Sequence, residues 1–150
     1  MTTANHVLVS STIALAINQP VLALPIAFAS HFALDGLPHF GYEGANYGTT
    51  FKHKMMYLAL ALDILGIIIV VSTFNFSAGI ILLCAAAAVL PDLEHPYRYF
   101  LYERKGKVPP DTRLTKFHHD LQRFERPWGI YVEVAFFLVV LLIASRFLIH

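Results

Sequence analysis

Charged residues and cysteine are both scarce in this sequence of 150 residues. Only 14% of the residues are charged, whereas 57% are hydrophobic, and the mean hydropathy is +0.59. This composition is too apolar for a soluble domain or a disordered chain, and a net charge of +1 argues against a nucleic-acid-binding surface. The single cysteine, Cys84, excludes a disulfide framework and is expected to fill apolar space. The sequence therefore predicts an integral membrane protein.

Apolar runs long enough to cross a membrane occur four times. A helix needs about 20 residues to cross a hydrocarbon core of ~30 Å. The predicted membrane helices occupy about residues 20–37, 54–74, 77–95 and 128–149, and a shorter first helix over residues 6–18 ends at Asn18-Gln19-Pro20. The prediction is an all-α polytopic bundle that forms one domain over residues 1–150, with a loop and an amphipathic surface helix within residues 96–127.

The distribution of basic residues predicts the orientation of this bundle. Eight of the eleven Lys and Arg residues lie between Tyr97 and Pro127, and two more, Lys52 and Lys54, lie in another connection. Short basic loops are retained in the cytoplasm. We therefore expect the basic loop and the N-terminus on the cytoplasmic side and the C-terminus outside.

The basic loop contains the predicted surface helix. Asp111 or Thr112 is the expected N-cap residue, following a proline-containing linker. An apolar stripe at helical spacing is predicted to lie along the membrane surface or against the bundle, and it consists of Leu114, Phe117, Leu121 and Phe124. On a helical wheel His118 flanks this stripe, whereas His119 points nearly opposite. His118 is therefore the expected inward-facing histidine.

Ionisable side chains of separate segments converge on the cytoplasmic end of the predicted bundle. His31 and Asp35 lie one turn apart at the end of the second helix and share a face. Asp92 follows Pro91, which frees backbone groups and lets a side chain reach a polar cavity. Together with His118 these residues are the predicted metal ligands. The alternatives are a simple His31–Asp35 hydrogen bond and a solvated Asp92.

Further polar residues at this end could complete the site. The possible additional ligands, or partners of the ligands, are His6, His39, His95, Asp63 and Glu133. Asp63 and Glu133 could instead be carboxyl groups that bind neighbouring helices. Glu94 or Glu125 could act as a general base. Imidazole and carboxylate ligands suit a divalent cation, with zinc expected first and manganese, iron or nickel as alternatives.

Three short motifs resemble a known family. Asn5-His6-Val7-Leu8 opens an apolar helix, Leu90-Pro91-Asp92-Leu93-Glu94-His95 ends another, and a histidine follows in a late hydrophilic segment. This pattern resembles small bacterial integral-membrane proteins described as membrane-bound metal-dependent hydrolases, which have been related to zinc-dependent phospholipases C. The pair His31-x-x-x-Asp35 is similar to helical ligand pairs of those phospholipases and of single-strand nucleases.

The chain also departs from that family pattern. Glu94 stands where the family usually has Asp, and Phe117-His118-His119-Asp120 replaces the late His-Arg-Gly-x-x-His-Ser pattern. The resemblance implies a metal-dependent hydrolase in the bacterial inner membrane. A site at headgroup depth would act on a phospholipid or a lipid-linked phosphate, which makes membrane lipids the expected partners.

Two other functions fit parts of the sequence. A metal or proton carrier would use the same groups as a path, with Asp63 as a station within the membrane. A non-catalytic adaptor would use the basic loop to bind anionic lipid or a protein partner. The adaptor explains the basic residues well but leaves the converging histidines without a role.

The predicted orientation can be tested by labelling a cysteine introduced at Lys107. In a Cys84→Ala background, Lys107→Cys should be shielded from a membrane-impermeant thiol reagent in intact cells, because basic loops resist translocation. The same cysteine should react once the cells are permeabilised. Labelling of intact cells would show that the topology is inverted.

Overall fold

The computed structural model describes residues 1–41, 54–74, 76, 79–108, 110 and 112–148. Its helices are α1 (Thr3–Ile17), α2 (Pro20–Asp35), α3 (Lys54–Thr73), α4 (Gly79–Val89), α5 (Glu94–Leu101), α6 (Arg113–Leu121) and α7 (Gly129–Leu148). Short 3-10 turns cover Leu90–Leu93, Glu103–Lys105 and Gln122–Phe124. Two-residue strands β1 (His39–Phe40) and β2 (Glu125–Arg126) complete the described elements. The all-α prediction is confirmed in its main features.

Three helical segments are long and apolar enough to cross a membrane. They are Lys54–Thr73, Gly79–Lys105 and Gly129–Leu148, and the surfaces of these segments are mostly apolar and unburied. The helices α1 and α2 are apolar but shorter, with 15 and 16 residues. The protein is therefore an integral membrane protein by the length and composition of its helices, and a fourth span is not established by them.

The short first helix occupies the centre of the bundle. α1 packs against α2, α3, α4 and α7. Gly66 of α3 permits close approach, since a Cβ there would lie 2.7 Å from Cβ of Ala4. Leu8 and Ala14 are fully buried in a core that also contains Cys84, as expected for an apolar filler. Every other apolar helix is thus positioned by α1.

The turn between α1 and α2 follows the sequence prediction. Asn18 adopts the left-handed conformation at φ 48°, and its backbone N–H donates to the carbonyl of Ala14. Asparagine tolerates this conformation, and Pro20 at the first position of α2 has the φ that a helix start requires. The two helices therefore run antiparallel, and the start of α1 lies beside the end of α2.

The fourth apolar segment extends further than residue 95, where the prediction ended it. At Pro91, which lacks an amide hydrogen, the chain tightens into the 3-10 turn Leu90–Leu93 and then resumes as α5. Residues 96–101 are therefore helical and do not belong to a loop. The predicted cytoplasmic loop is therefore shorter than residues 96–127 by these helical residues.

The surface helix forms with its predicted cap, but its apolar stripe is not buried as a whole. The hydroxyl of Thr112 accepts from the backbone N–H of Thr115 at 3.1 Å; Asp111 lies outside the described residues. The side chains of Phe117 and Phe124 are 51% and 40% exposed, and the ring of Phe117 also contacts that of Phe32 with centroids 5.5 Å apart. His118, at 3% exposure, is the buried residue. We attribute this orientation to the contact of His118 with Asp35 of α2. The apolar side chains do not fix it, because they can pack against lipid as well as against protein.

A short parallel pairing joins the two connections near the site. His39 pairs with Glu125 and Phe40 with Arg126, an element that the sequence prediction did not contain. The start of α7 lies directly against this pairing. A Cβ on Gly129 would lie 2.1 Å from the carbonyl carbon of His39 and 2.6 Å from the amide nitrogen of Phe40. Only glycine permits this approach.

We expect Gly129→Ala to destabilise the protein by about 3 kcal/mol or more, because the new methyl group meets backbone and not a movable side chain. Gly79→Ala is the matched control, since nothing lies within 4 Å of the Cβ that it adds. Thermal unfolding in detergent micelles, followed by circular dichroism, measures both changes. Equal melting temperatures for the two variants would contradict the close approach.

Candidate metal centre

Three elements bring four potential ligands to one end of the bundle. His31 and Asp35 come from the last turn of α2, Asp92 from the 3-10 turn after α4, and His118 from α6. One ligand atom from each of these residues lies within 4.8 Å of the corresponding atoms of the other three. These are the four residues that the sequence analysis predicted as metal ligands, and together they could hold a metal ion.

The side chain of Asp35 lies at the centre of this group. Its Oδ2 atom lies 2.9 Å from Nε2 of His118 and 3.2 Å from Nε2 of His31. Nε2 of His31 lies 3.7 Å from Oδ1 of Asp92. His31 and Asp35 are fully buried and His118 is 3% exposed, whereas the side chain of Asp92 retains 24% of its exposure. Asp92 therefore lies on the open side of the cluster.

The backbone sets the orientation of the His31 ring. Its Nδ1 lies 2.8 Å from the carbonyl oxygen of Ala88, which can only accept. Nδ1 therefore carries a hydrogen, which leaves Nε2, the atom that faces Asp35 and His118, as the ring nitrogen available to an ion. A histidine ligand whose other ring nitrogen donates to a carbonyl is the usual arrangement in metal sites. The donor set of two imidazoles and two carboxylates fits a divalent cation, whose charge the carboxylates would balance.

Two polar groups extend the cluster beyond His118. Nε2 of Gln122 lies 3.2 Å from Nε2 of His118 and 3.3 Å from Nε2 of His95. The same nitrogen of His95 lies 3.7 Å from Oδ1 of Asp92. Gln122 was missed as a site residue, although its position four residues after His118 placed it on the same helical flank.

His6 lies on the opposite side of His31. The two rings stack with centroids 4.3 Å apart and an interplanar angle of 23°. Nε2 of His6 lies 3.2 Å from Oδ1 of Asp35, outside hydrogen-bonding geometry. Within the described part of the chain, neither ring nitrogen of this fully buried residue has a hydrogen-bond partner. His6 thus borders the cluster, and it is not one of the four converging residues.

The amino group of Met1 also contacts Asp35, at 2.6 Å from Oδ1. Burial disfavours its charged form, but the nearby carboxylates of Asp35 and Glu133 outweigh this effect. The pKa of the amino group is therefore raised above its ordinary value. A positive charge on this side of Asp35 offsets part of the cost of burying the carboxylate.

Asp63 and Glu133 bind the backbone at the start of α1. Oδ1 of Asp63 accepts from the amide of Ala4 at 2.6 Å, and Oε2 of Glu133 accepts from the amide of Thr2 at 2.9 Å. The other oxygen of Glu133 accepts from the amide of Phe40 at 2.8 Å. Carboxylates at a helix N-terminus satisfy its free N–H groups and its dipole. These contacts favour the structural interpretation of both residues.

The remaining predicted residues lie around the cluster. Nδ1 of buried His39 lies 2.7 Å from the carbonyl of Leu37, and its Nε2 lies 3.7 Å from Oε1 of Glu125. Glu94, proposed with Glu125 as a general base, accepts from Arg98 at 3.3 Å. Neither glutamate belongs to the group of four, and their catalytic role stays a prediction. The side chain of His119 lies outside the described part of the structure.

Comparison of the chain with protein-family models, with curated proteins and with solved structures finds no match. The interpretation of the site therefore depends on its own geometry.

Removal of one of the four candidate ligands should weaken metal binding. We expect His31→Ala and Asp92→Ala each to lower bound metal substantially, because loss of one of four ligands leaves an open, weakened site. His119→Ala is the matched control, since the helical wheel turns this neighbouring histidine about 100° away from His118. Elemental analysis of protein purified without added metal measures the effect. Equal metal content in all three variants would exclude the ligand assignment.

Proposed function

We propose that this protein is a membrane-embedded metal-dependent hydrolase that acts on a phospholipid or a lipid-linked phosphate at the cytoplasmic interface. The observation that carries the proposal is the convergence of His31, Asp35, Asp92 and His118 within 4.8 Å at one end of a membrane bundle. Zinc is the first candidate for the ion, because two imidazoles and two carboxylates are ligands that it accepts readily. Manganese, iron and nickel are the alternatives.

A divalent ion at this position would acidify a water molecule and polarise a phosphoryl or acyl oxygen, the two functions that hydrolysis needs. The protein's own residues would fix the ion and leave access to it. His31 is oriented by the carbonyl of Ala88, and Asp35 is held by its buried contacts. Asp92, the most exposed of the four, lies where a substrate could enter.

The position of the site supports a lipid substrate. The four residues lie at the ends of apolar helices or in the polar segments that follow them, and in a bundle whose apolar helices are immersed in lipid this level would meet the headgroups. The neighbouring surface carries exposed basic side chains, among them Arg104, Lys105, Lys107, Arg113, Lys116 and Arg123. Cations beside exposed aromatic residues attract anionic headgroups. This surface also suits the adaptor function, but an adaptor has no use for the buried histidines and carboxylates.

The carrier function has less support. A carrier needs polar groups along its path, and Asp63 is the residue that would provide one within the membrane. Asp63 instead binds the amide of Ala4, at the level where α1 begins and close to the cluster. Beyond it, towards the other end of the bundle, the apolar helices contain Arg146 as their one charged residue among those described.

The proposed activity can be tested with purified metal-loaded protein in vesicles of mixed lipids. Headgroup, phosphate or fatty acid should be released, and a chelator should abolish the release because the reaction depends on the ion. Asp92→Ala should reduce turnover by about a hundredfold or more, as expected for a ligand whose loss weakens the metal site. If the wild-type protein holds stoichiometric metal but turns over no lipid or lipid phosphate in a broad panel, the hydrolase proposal is wrong.

A further inference from the structure

Gln122 is a polar neighbour of the candidate metal centre for which the proposed function supplies no role. It begins the 3-10 turn after α6, and its side chain is half-buried. Its Nε2 lies 3.2 Å from Nε2 of His118 and 3.3 Å from Nε2 of His95. A primary amide carries two hydrogens, so one N–H group of Gln122 can donate to His95 while the other points towards Nε2 of His118, an atom that also faces the carboxylate of Asp35.

Gln122 cannot donate a hydrogen bond to Nε2 of His118 while that atom ligates a metal ion. Nε2 of His118 is the atom that lies 2.9 Å from Asp35 Oδ2 and 3.2 Å from His31 Nε2, and it is therefore the ligand atom of this residue. An imidazole nitrogen has one lone pair, which cannot bind an ion and accept a hydrogen bond at the same time. When the lone pair of His118 Nε2 ligates an ion, the N–H group of Gln122 that points towards this atom has no acceptor there.

This N–H group of Gln122 is a donor that would bind an anion. It lies at the edge of a site where a cation would attract anions, and its second hydrogen can remain on His95. A fixed N–H donor beside a cation complements an oxyanion, and amide side chains serve this purpose in hydrolytic sites. Residue 122 is a glutamine, so the side chain at this position is an amide that can donate a hydrogen bond to an anion.

We propose that Gln122 binds an oxyanion of the substrate, a phosphate oxygen, next to the metal ion. This assignment rests on the proposed function, because it requires an ion ligated by His118. The rigid connection supports it: Gln122 follows His118 by a single helical turn, so the donor and the ligand move together. Gln122 is thus a substrate-binding residue and not a metal ligand.

The test measures the binding of inorganic phosphate and not turnover. Zinc-loaded protein in detergent micelles is titrated with phosphate in a calorimeter, and zinc content is determined by elemental analysis. Gln122→Leu should weaken phosphate binding about tenfold with the zinc content unchanged, since a hydrogen bond to a charged group is lost. Gln122→Glu should weaken it at least as much, because its carboxylate repels the anion while preserving the size of the side chain.

The matched control is Gln19→Leu, the same chemical change at an exposed turn at the other end of α1, about 22 Å away along the helix axis. It should leave phosphate binding unchanged. Full zinc content with unchanged phosphate binding in both Gln122 variants overturns the assignment of Gln122 alone. Loss of zinc from both Gln122 variants overturns it too, because Gln122 would then support the ligands directly. A wild-type protein that takes up none of zinc, manganese, iron and nickel overturns the proposed function, and this assignment with it.

Discussion

The rest of the site depends on the buried carboxylate of Asp35. A carboxylate that leaves water for an apolar interior costs several kcal/mol unless other groups compensate it. Here the compensation comes from three directions: the amino group of Met1 on one oxygen, His31 and His118 on the other, and the ring of His6 alongside. The ends of α1 and α2 and the face of α6 are positioned by this one requirement. A divalent cation would satisfy this requirement more completely than contacts with imidazole rings do.

The same principle explains the carboxylates that surround the cluster. Asp63 and Glu133 are placed in apolar helices, yet each meets backbone N–H groups at the start of α1. An apolar helix of 15 residues is held in register by these two anions, because its first N–H groups have no partners within the helix. Glu133 also binds the amide of Phe40, so α7 ties the start of α1 to the β1–β2 pairing. The polar groups thus specify where the apolar helices sit, which lipid contacts alone do not.

The cluster has one open side, which is marked by Asp92. Asp92 retains part of its exposure, whereas His31 and Asp35 have none, and Gln122 and His95 line the approach. The arrangement combines a rigid floor, formed by helix ends, with an accessible rim that is formed by a 3-10 turn and a surface helix. Such a division suits a site that must bind an ion firmly and still admit a molecule from the headgroup region.

The sequence by itself determined the membrane character, the positions of the long apolar helices, the Asn18–Pro20 turn and the four converging ligands. These follow from hydrophobic run length, from proline and asparagine chemistry, and from the 3.6-residue period that puts His31 beside Asp35. Only the tertiary structure decided that α1 is central, that α5 continues past residue 95, and that Phe117 and Phe124 stay largely exposed while His118 is buried. The physical reason is that an apolar face can pack equally well against protein or lipid. The buried polar contacts of His118, Asp63 and Glu133 break that equivalence, and their partners are distant in sequence.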